Sequence, residues 1–239
     1  LRKLEYGKLF KFTRGVVRLA VPRYQAASLP ESEEPIVYVA HHQNMKGPVT
    51  VLAWLTQPVR TWVFSVFLDQ KECFNHYMDY TFTQRFGWPR ALAKLVVWPL
   101  SFFITDLMKS GKAIPVYRKS KKVMHTMKLS VEALQNGENI LIFPDVDYQS
   151  DSEEVGEIYE GFLFVEKYYH RKTGKHVAFV PLYADSHTQT IRAGEIIRFK
   201  EEASFVEQRA EVAEQIQAEL NRLADLSAAS QQAAGTPFN

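Results

Sequence analysis

Thiol chemistry is almost missing from this chain. Its one cysteine, Cys73, cannot form an internal disulfide and fits a reducing compartment. Neither a cysteine pair nor an H-E-x-x-H run occurs, so no metal site is expected. Without a G-x-G-x-x-G or phosphate-loop signature, no bound nucleotide is expected beyond the one carried by coenzyme A. The absence of a G-x-S-x-G elbow argues against a serine acyl-enzyme. Charge of one sign is scarce as well. Lys and Arg number 29 against 27 Asp and Glu, a net of +2, and no nucleic-acid partner is expected. No uninterrupted apolar run reaches the ~18 residues of a spanning helix, so membrane contact is expected from one side only.

What is present is an ordinary globular balance of 46% hydrophobic and 23% charged residues over 239 positions. That is enough for one large α/β domain, read here as residues 1–226. The first 24 residues read as a membrane-proximal helical segment. Arg2, Lys3, Lys8, Lys11, Arg14, Arg18 and Arg23 stand there against Glu5 alone, among apolar residues at helical spacing, and Pro22 ends the helix. Short apolar runs at 36–40, 60–66, 113–117, 139–143 and 177–183, with more near 189–199, predict strands. Helices are expected from 49, at 121–136, 160–172 and 202–224. Gly137 ends the second of these, and the Glu-rich outer face of the last suits packing or a homodimer. The stretch 69–108 reads as mostly helical and aromatic. Within it, 86–104 carries Trp88, Trp98, Phe102 and Phe103 with only Arg90 and Lys94 as charges, which favours an interfacial segment over a buried helix. Residues 227–239 read as a disordered tail. The fold class expected is α/β, a mixed central sheet flanked by helices with an N-terminal amphipathic helix.

Three of the strands end in polar loops: His41-His42-Gln43-Asn44, Arg118-Lys119 and Pro144-Asp145. In an open α/β sheet such ends converge on one crevice. A histidine, a cation and a carboxylate in one crevice provide a base for a hydroxyl proton and a site for an anionic group.

The order of these segments resembles the glycerol-3-phosphate and lysophosphatidic acid acyltransferase family. HHQNMKGP at 41–48 is similar to N-H-x-x-x-x-D-P, GKAIPVYR at 111–118 to G-x-I-P-x-x-R, FPDVDYQ at 143–149 to F-P-E-G-T-R-S, and Val180-Pro181 to the family's V-P strand end. The resemblance implies His42 and Asp145 as the catalytic pair. It implies Arg118, His41, Asn44, Lys119, Pro144 and Asp147 as substrate-binding residues. It implies a thioester donor, acyl-CoA or acyl carrier protein, a lipid acceptor, no cofactor, and a peripheral or monotopic place on the cytoplasmic face of a membrane.

The chain departs from the pattern where the family's aspartate falls on Gly47. In a histidine triad, losing the orienting acid costs about four orders of magnitude. A substitute is expected from the His41 side chain, a carbonyl of 43–48, Asp145 or Asp147, and Gly47→Asp is expected to raise activity if the loop keeps the family's geometry. Asp147, Asp151, Glu153, Glu154 and Glu157 make the third loop acidic, which weighs against a phosphate monoester acceptor. Three functions stay open at this point: acyl transfer to a hydroxyl, a non-catalytic lipid- or acyl-chain-binding protein of the same fold, and thioester hydrolysis with water as acceptor.

Overall fold

A computed structural model describes residues 4–26, 29, 30, 32, 34–117 and 121–234, with side chains of the last helix described as far as Ala229. Seven strands form one sheet in the order β1-β7-β6-β2-β5-β3-β4. They are β1 (Gln25–Ala26), β2 (Ile36–Ala40), β3 (Val59–Phe64), β4 (Ile114–Val116), β5 (Asn139–Ile142), β6 (Ala178–Asp185) and β7 (Thr190–Ala193). The pairs joining β6, β2, β5, β3 and β4 are parallel, and β6 with β7 is antiparallel. The sheet is therefore mixed, as expected, and β2, β4 and β5 all end on one side.

Both faces are covered, so the central strands are apolar throughout rather than alternating. Every residue of β2 and β6 is buried. On one face Val37, Val39, Ile140, Ile142 and Phe179 pack against α5 (Val123–Gln135), α6 (Phe164–Thr173) and α7 (Phe205–Ala234). On the other, Ile36, Tyr38, Leu141 and Val180 pack against Val51 and Leu55 at the end of α2 (Lys46–Trp54). Two boundaries differ from the sequence reading. α2 begins at Lys46 and takes Gly47 and Pro48 into its first turn, where a proline loses no hydrogen bond. α7 continues to Ala234, well beyond residue 226. Ser227 is buried and donates to Asp185 Oδ1 at 2.6 Å, so the polar stretch is held as helix by packing.

α1 (Lys8–Ala20) lies on α2 and α4 (Arg90–Ser110). Its arginines bind protein. Arg14 Nε and Nη2 donate to the carbonyls of Ala53 (3.0 Å) and Leu55 (2.5 Å), and Arg18 Nε donates to Ala53 (2.6 Å). These cations satisfy carbonyls at the negative end of α2. Between β3 and β4 come α3 (Gln70–His76), a π-helical stretch (Tyr77–Arg85) and α4.

Candidate active site

The cluster forms because β2 and β5 are adjacent and parallel, with Val39 opposite Ile142. The residues that follow each strand must therefore meet. Asp145 lies beyond the end of β5, buried, and its two oxygens are both used. Oδ1 contacts His41 Nδ1, and Oδ2 accepts from the backbone N–H of His42 at 2.9 Å. The other ring nitrogen of His41, Nε2, meets the carbonyl oxygen of Ser152 at 2.9 Å. Both His41 nitrogens thus face acceptors, an arrangement that suits the imidazolium. Burial alone lowers its pKa, but the Asp145 hydrogen bond and charge, with the Ser152 carbonyl, raise it above the ordinary histidine value. The His41 ring lies parallel to that of Tyr183, which supports it from β6.

His42 is placed differently. Its half-buried ring is bounded edge-on by Phe143 and Tyr148, with centroids 5.6 and 5.8 Å away. Nδ1 is buried and has no hydrogen-bond partner among the described residues. Burial lowers the pKa of this imidazole. The Asp145 charge and the carbonyls of Asn44 and Tyr148 push the other way and do not overcome it. His42 is therefore a neutral imidazole at pH 7. No substitute expected for the family's aspartate hydrogen-bonds Nδ1, and Asp145 is committed to His41. Of the substitutes, only a carbonyl of the 43–48 loop, that of Asn44, supports the charged ring besides the Asp145 charge.

Gly47 explains why an acid is missing. Its N–H donates to the His42 carbonyl at 3.1 Å, closing the first turn of α2 directly on the histidines. A Cβ built at this position would lie 2.1 Å from the His41 carbonyl oxygen and 2.7 Å from that of His42. No side chain fits there without moving backbone, so an aspartate at 47 cannot take up the family's geometry in this loop. Gln43 and Asn44 take left-handed φ values of 42° and 53° to make this approach.

The remaining expected residues are dispersed. Asn44 donates to Asp151 at 3.2 Å, and Pro144 is buried below the cluster, its carbonyl accepting from Tyr159 N–H at 2.8 Å. Asp147 is exposed and accepts from Gln149 N–H at 3.2 Å, a local turn. Arg118 and Lys119 lie outside the described residues. The strand that leads to them, β4, is three strand spacings from β2, roughly 14 Å. Ser152, Tyr148 and Tyr183 were missed by sequence reasoning. Only the density of polar residues between 144 and 157 marked that loop, and nothing in it indicated which carbonyl would reach His41. The loop crosses the cluster and is tied down elsewhere. Glu153 meets His187 at 2.9 Å, Tyr183 Oη donates to the Glu153 carbonyl at 3.2 Å, and Gln149 donates to Tyr80 Oη at 3.0 Å.

The fold is similar to that of a solved structure. This is the 1-acyl-sn-glycerophosphate (LPA) acyltransferase PlsC from Thermotoga maritima, with a TM-score of 0.51 and 14% identity, covering 90% of this chain and 78% of that one. The chain has the PlsC fold. No family model and no curated protein matches it. At that identity the likeness establishes the PlsC fold, and activity has to be argued from the site.

Proposed function

We propose that the protein is an O-acyltransferase that moves a fatty acyl group from acyl-CoA or acyl carrier protein to the hydroxyl of a lysophospholipid, glycerol phosphate or related lipid. The observation that carries this reading is a neutral, half-buried His42 at the ends of the central strands, beside the buried Asp145 carboxylate. A half-buried neutral imidazole offers a lone pair to an acceptor hydroxyl that reaches the accessible edge of the ring. In the reaction, the imidazole takes the hydroxyl proton as the oxygen attacks the thioester carbonyl. The tetrahedral adduct then collapses with cleavage of the C–S bond, and the departing thiolate takes the proton back. Asp145 assists through its charge alone, since its hydrogen bonds go to the His41 ring and the His42 backbone. His41 is a positioning residue.

Two surfaces suit a lipid substrate. α4 buries Ala93, Val97, Ser101 and Thr105 and turns Leu92, Leu95, Val96, Trp98, Phe102 and Phe103 outward. Phe12, Val16 and Leu19 of α1 are exposed as well. Such a face belongs at a membrane, here the cytoplasmic side, as a peripheral or monotopic attachment. By length and composition alone α4 could also span. With Arg14 and Arg18 occupied on α2, the electrostatic part of the attachment falls to the exposed Lys8, Lys11 and Arg23, and the rest is apolar. The link from Gln149 to Tyr80 joins the acidic loop to this aromatic unit, so acceptor arriving from the bilayer meets that loop first.

A second reading is favoured by the packing at Gly47. With no room for the orienting acid, the fold could serve as a non-catalytic lipid- or acyl-chain-binding protein. Transfer from labelled acyl-CoA and acyl carrier protein to a panel of lysophosphatidic acid, zwitterionic lysophospholipids and monoacyl glycolipids separates the two. The enzyme reading expects product, with neutral or zwitterionic headgroups ahead of the phosphate monoester. No product with any acceptor, together with a lipid in extracts of the pure protein, would establish the second.

A further inference from the structure

At the opposite end of the sheet from the candidate active site, where the chain leaves α6 and enters β6, two imidazoles and two carboxylates come together. Glu166, on α6, is buried, and its carboxylate is held at both oxygens. Oε2 accepts from the N–H of Val177 at 2.7 Å, and Oε1 lies 2.7 Å from His176 Nδ1. That contact places the Nδ1 proton between His176 and Glu166 and leaves Nε2 pointing away. Nε2 is buried with no hydrogen-bond partner, yet Glu201 Oε1 stands only 3.5 Å from it. With that proton on Nδ1, Nε2 presents its lone pair to the Glu201 carboxylate. Two acceptors facing each other need a cation between them. His170, in the last turn of α6, stacks on His176 with ring centroids 4.3 Å apart, and one ligand atom each from His170, His176 and Glu201 lies within 4.8 Å of the others.

We propose that His170, His176 and Glu201 form a site for a divalent transition-metal ion, with Glu166 as the carboxylate that orients His176. A carboxylate on the far nitrogen of a metal-ligating histidine fixes the tautomer and raises its basicity. The 3.5 Å between Nε2 and Oε1 is close to the separation of about 3.3 Å between two ligand atoms of a tetrahedral zinc. Two imidazoles and one carboxylate select zinc, cobalt or nickel over magnesium or calcium. The C-terminal end of α6 adds a favourable dipole. The charges nearby are mixed. Arg198 donates to the His176 carbonyl at 3.3 Å but is drawn off by Glu34 at 3.4 Å, and Arg171 and Lys172 share the last turn of α6. The two rings are 6° from parallel, so coordination requires His170 to rotate toward the shared point, and no hydrogen bond among the described residues restrains its ring. The site joins α6 to the turn at 201 ahead of α7. Its role is structural, and it stands apart from acyl transfer.

The test is titration of untagged, chelator-stripped protein with Zn2+ and Co2+, following heat of binding, Co2+ visible absorption and the thermal midpoint. Expected are one equivalent bound, a tetrahedral Co2+ spectrum, and a midpoint raised by roughly 5 °C with free metal about 100 times above its Kd. His170→Ala, which leaves the Glu166–His176 pair intact, should abolish binding and the shift, Glu201→Gln should weaken binding at least tenfold, and His125→Ala should change neither. No saturable binding by the wild type overturns the proposal and leaves a proton shared between His176 and Glu201. Binding unchanged in both His170→Ala and Glu201→Gln overturns it too, because the metal is then held elsewhere.

Discussion

At the ends of β2 and β5 a buried carboxylate is surrounded by donors, and hardly a polar atom is wasted. On α4 the arrangement is reversed: Ser101 and Thr105 face inward, while Leu95 and Trp98 stand 74% and 58% exposed. The strand-end cluster lies inside the protein's own packing, where an unpaired charge is costly. Nothing among the described residues covers the outer face of α4, and its apolar residues gain only if something other than water does. The difference marks two exceptions to ordinary packing: an unsatisfied nitrogen, His42 Nδ1, beside an otherwise satisfied cluster, and an apolar outer face on α4.

Substitutions can break or sharpen this contrast. The largest effect is expected from His42→Ala, which should reduce acyl transfer by about 10²- to 10⁴-fold, while the urea midpoint moves little. Since burial lowers the His42 pKa, the base stays neutral through pH 7, and the acid limb of wild-type activity should fall below about pH 6.5. An acid limb above that value would point to His41 instead. Asp145→Asn should cost about 3 kcal/mol in urea unfolding, because it removes the buried carboxylate that holds both the His41 ring and the His42 N–H. A loss under about 1 kcal/mol would mean that the pair is not buried as described. The His41 contribution has a definite sign. Its folded pKa is raised, so the stabilisation is complete below pH ~6.5 and disappears as pH rises through the folded value. Gly47→Asp should destabilise by about 2 kcal/mol and bring no gain in activity, since its Cβ meets the backbone of His41. An active, fully stable variant would show that α2 can retreat to admit an acid. The smallest stability change belongs to the other region. Replacing Leu95, Trp98 and Phe102 with serine should move the unfolding free energy by no more than about 0.5 kcal/mol per site, yet abolish flotation with vesicles. Retained flotation would put the attachment elsewhere.

Much was legible in the residues themselves. Short runs of β-branched residues bounded by polar loops predicted strands close to those observed. The parallel ends of β2, β4 and β5 followed from the alternation of strands with helices, because a parallel pair needs a crossover. His42 and Asp145 could be named together because strand ends of an open α/β sheet converge on one crevice and because their motifs resemble those of the acyltransferase family. What the chain could not disclose was which histidine takes the carboxylate. Residues 41 and 42 leave the same strand end and differ by one step of the pleat, which sends adjacent side chains in opposite directions. Only the register between β2 and β5 turns His41, rather than His42, toward Asp145. The same holds for Gly47, which reads as a lost acid in the sequence and becomes a steric requirement once α2 closes on the His41 carbonyl. It holds for Arg14 and Arg18 too, whose charge suggests lipid until the end of α2 is brought within hydrogen-bond reach. Composition and periodicity determine which segments form elements and which faces are apolar, since those depend on neighbours along the chain. Hydrogen-bond partners are decided by contacts between segments tens of residues apart, and those exist only in the folded sheet.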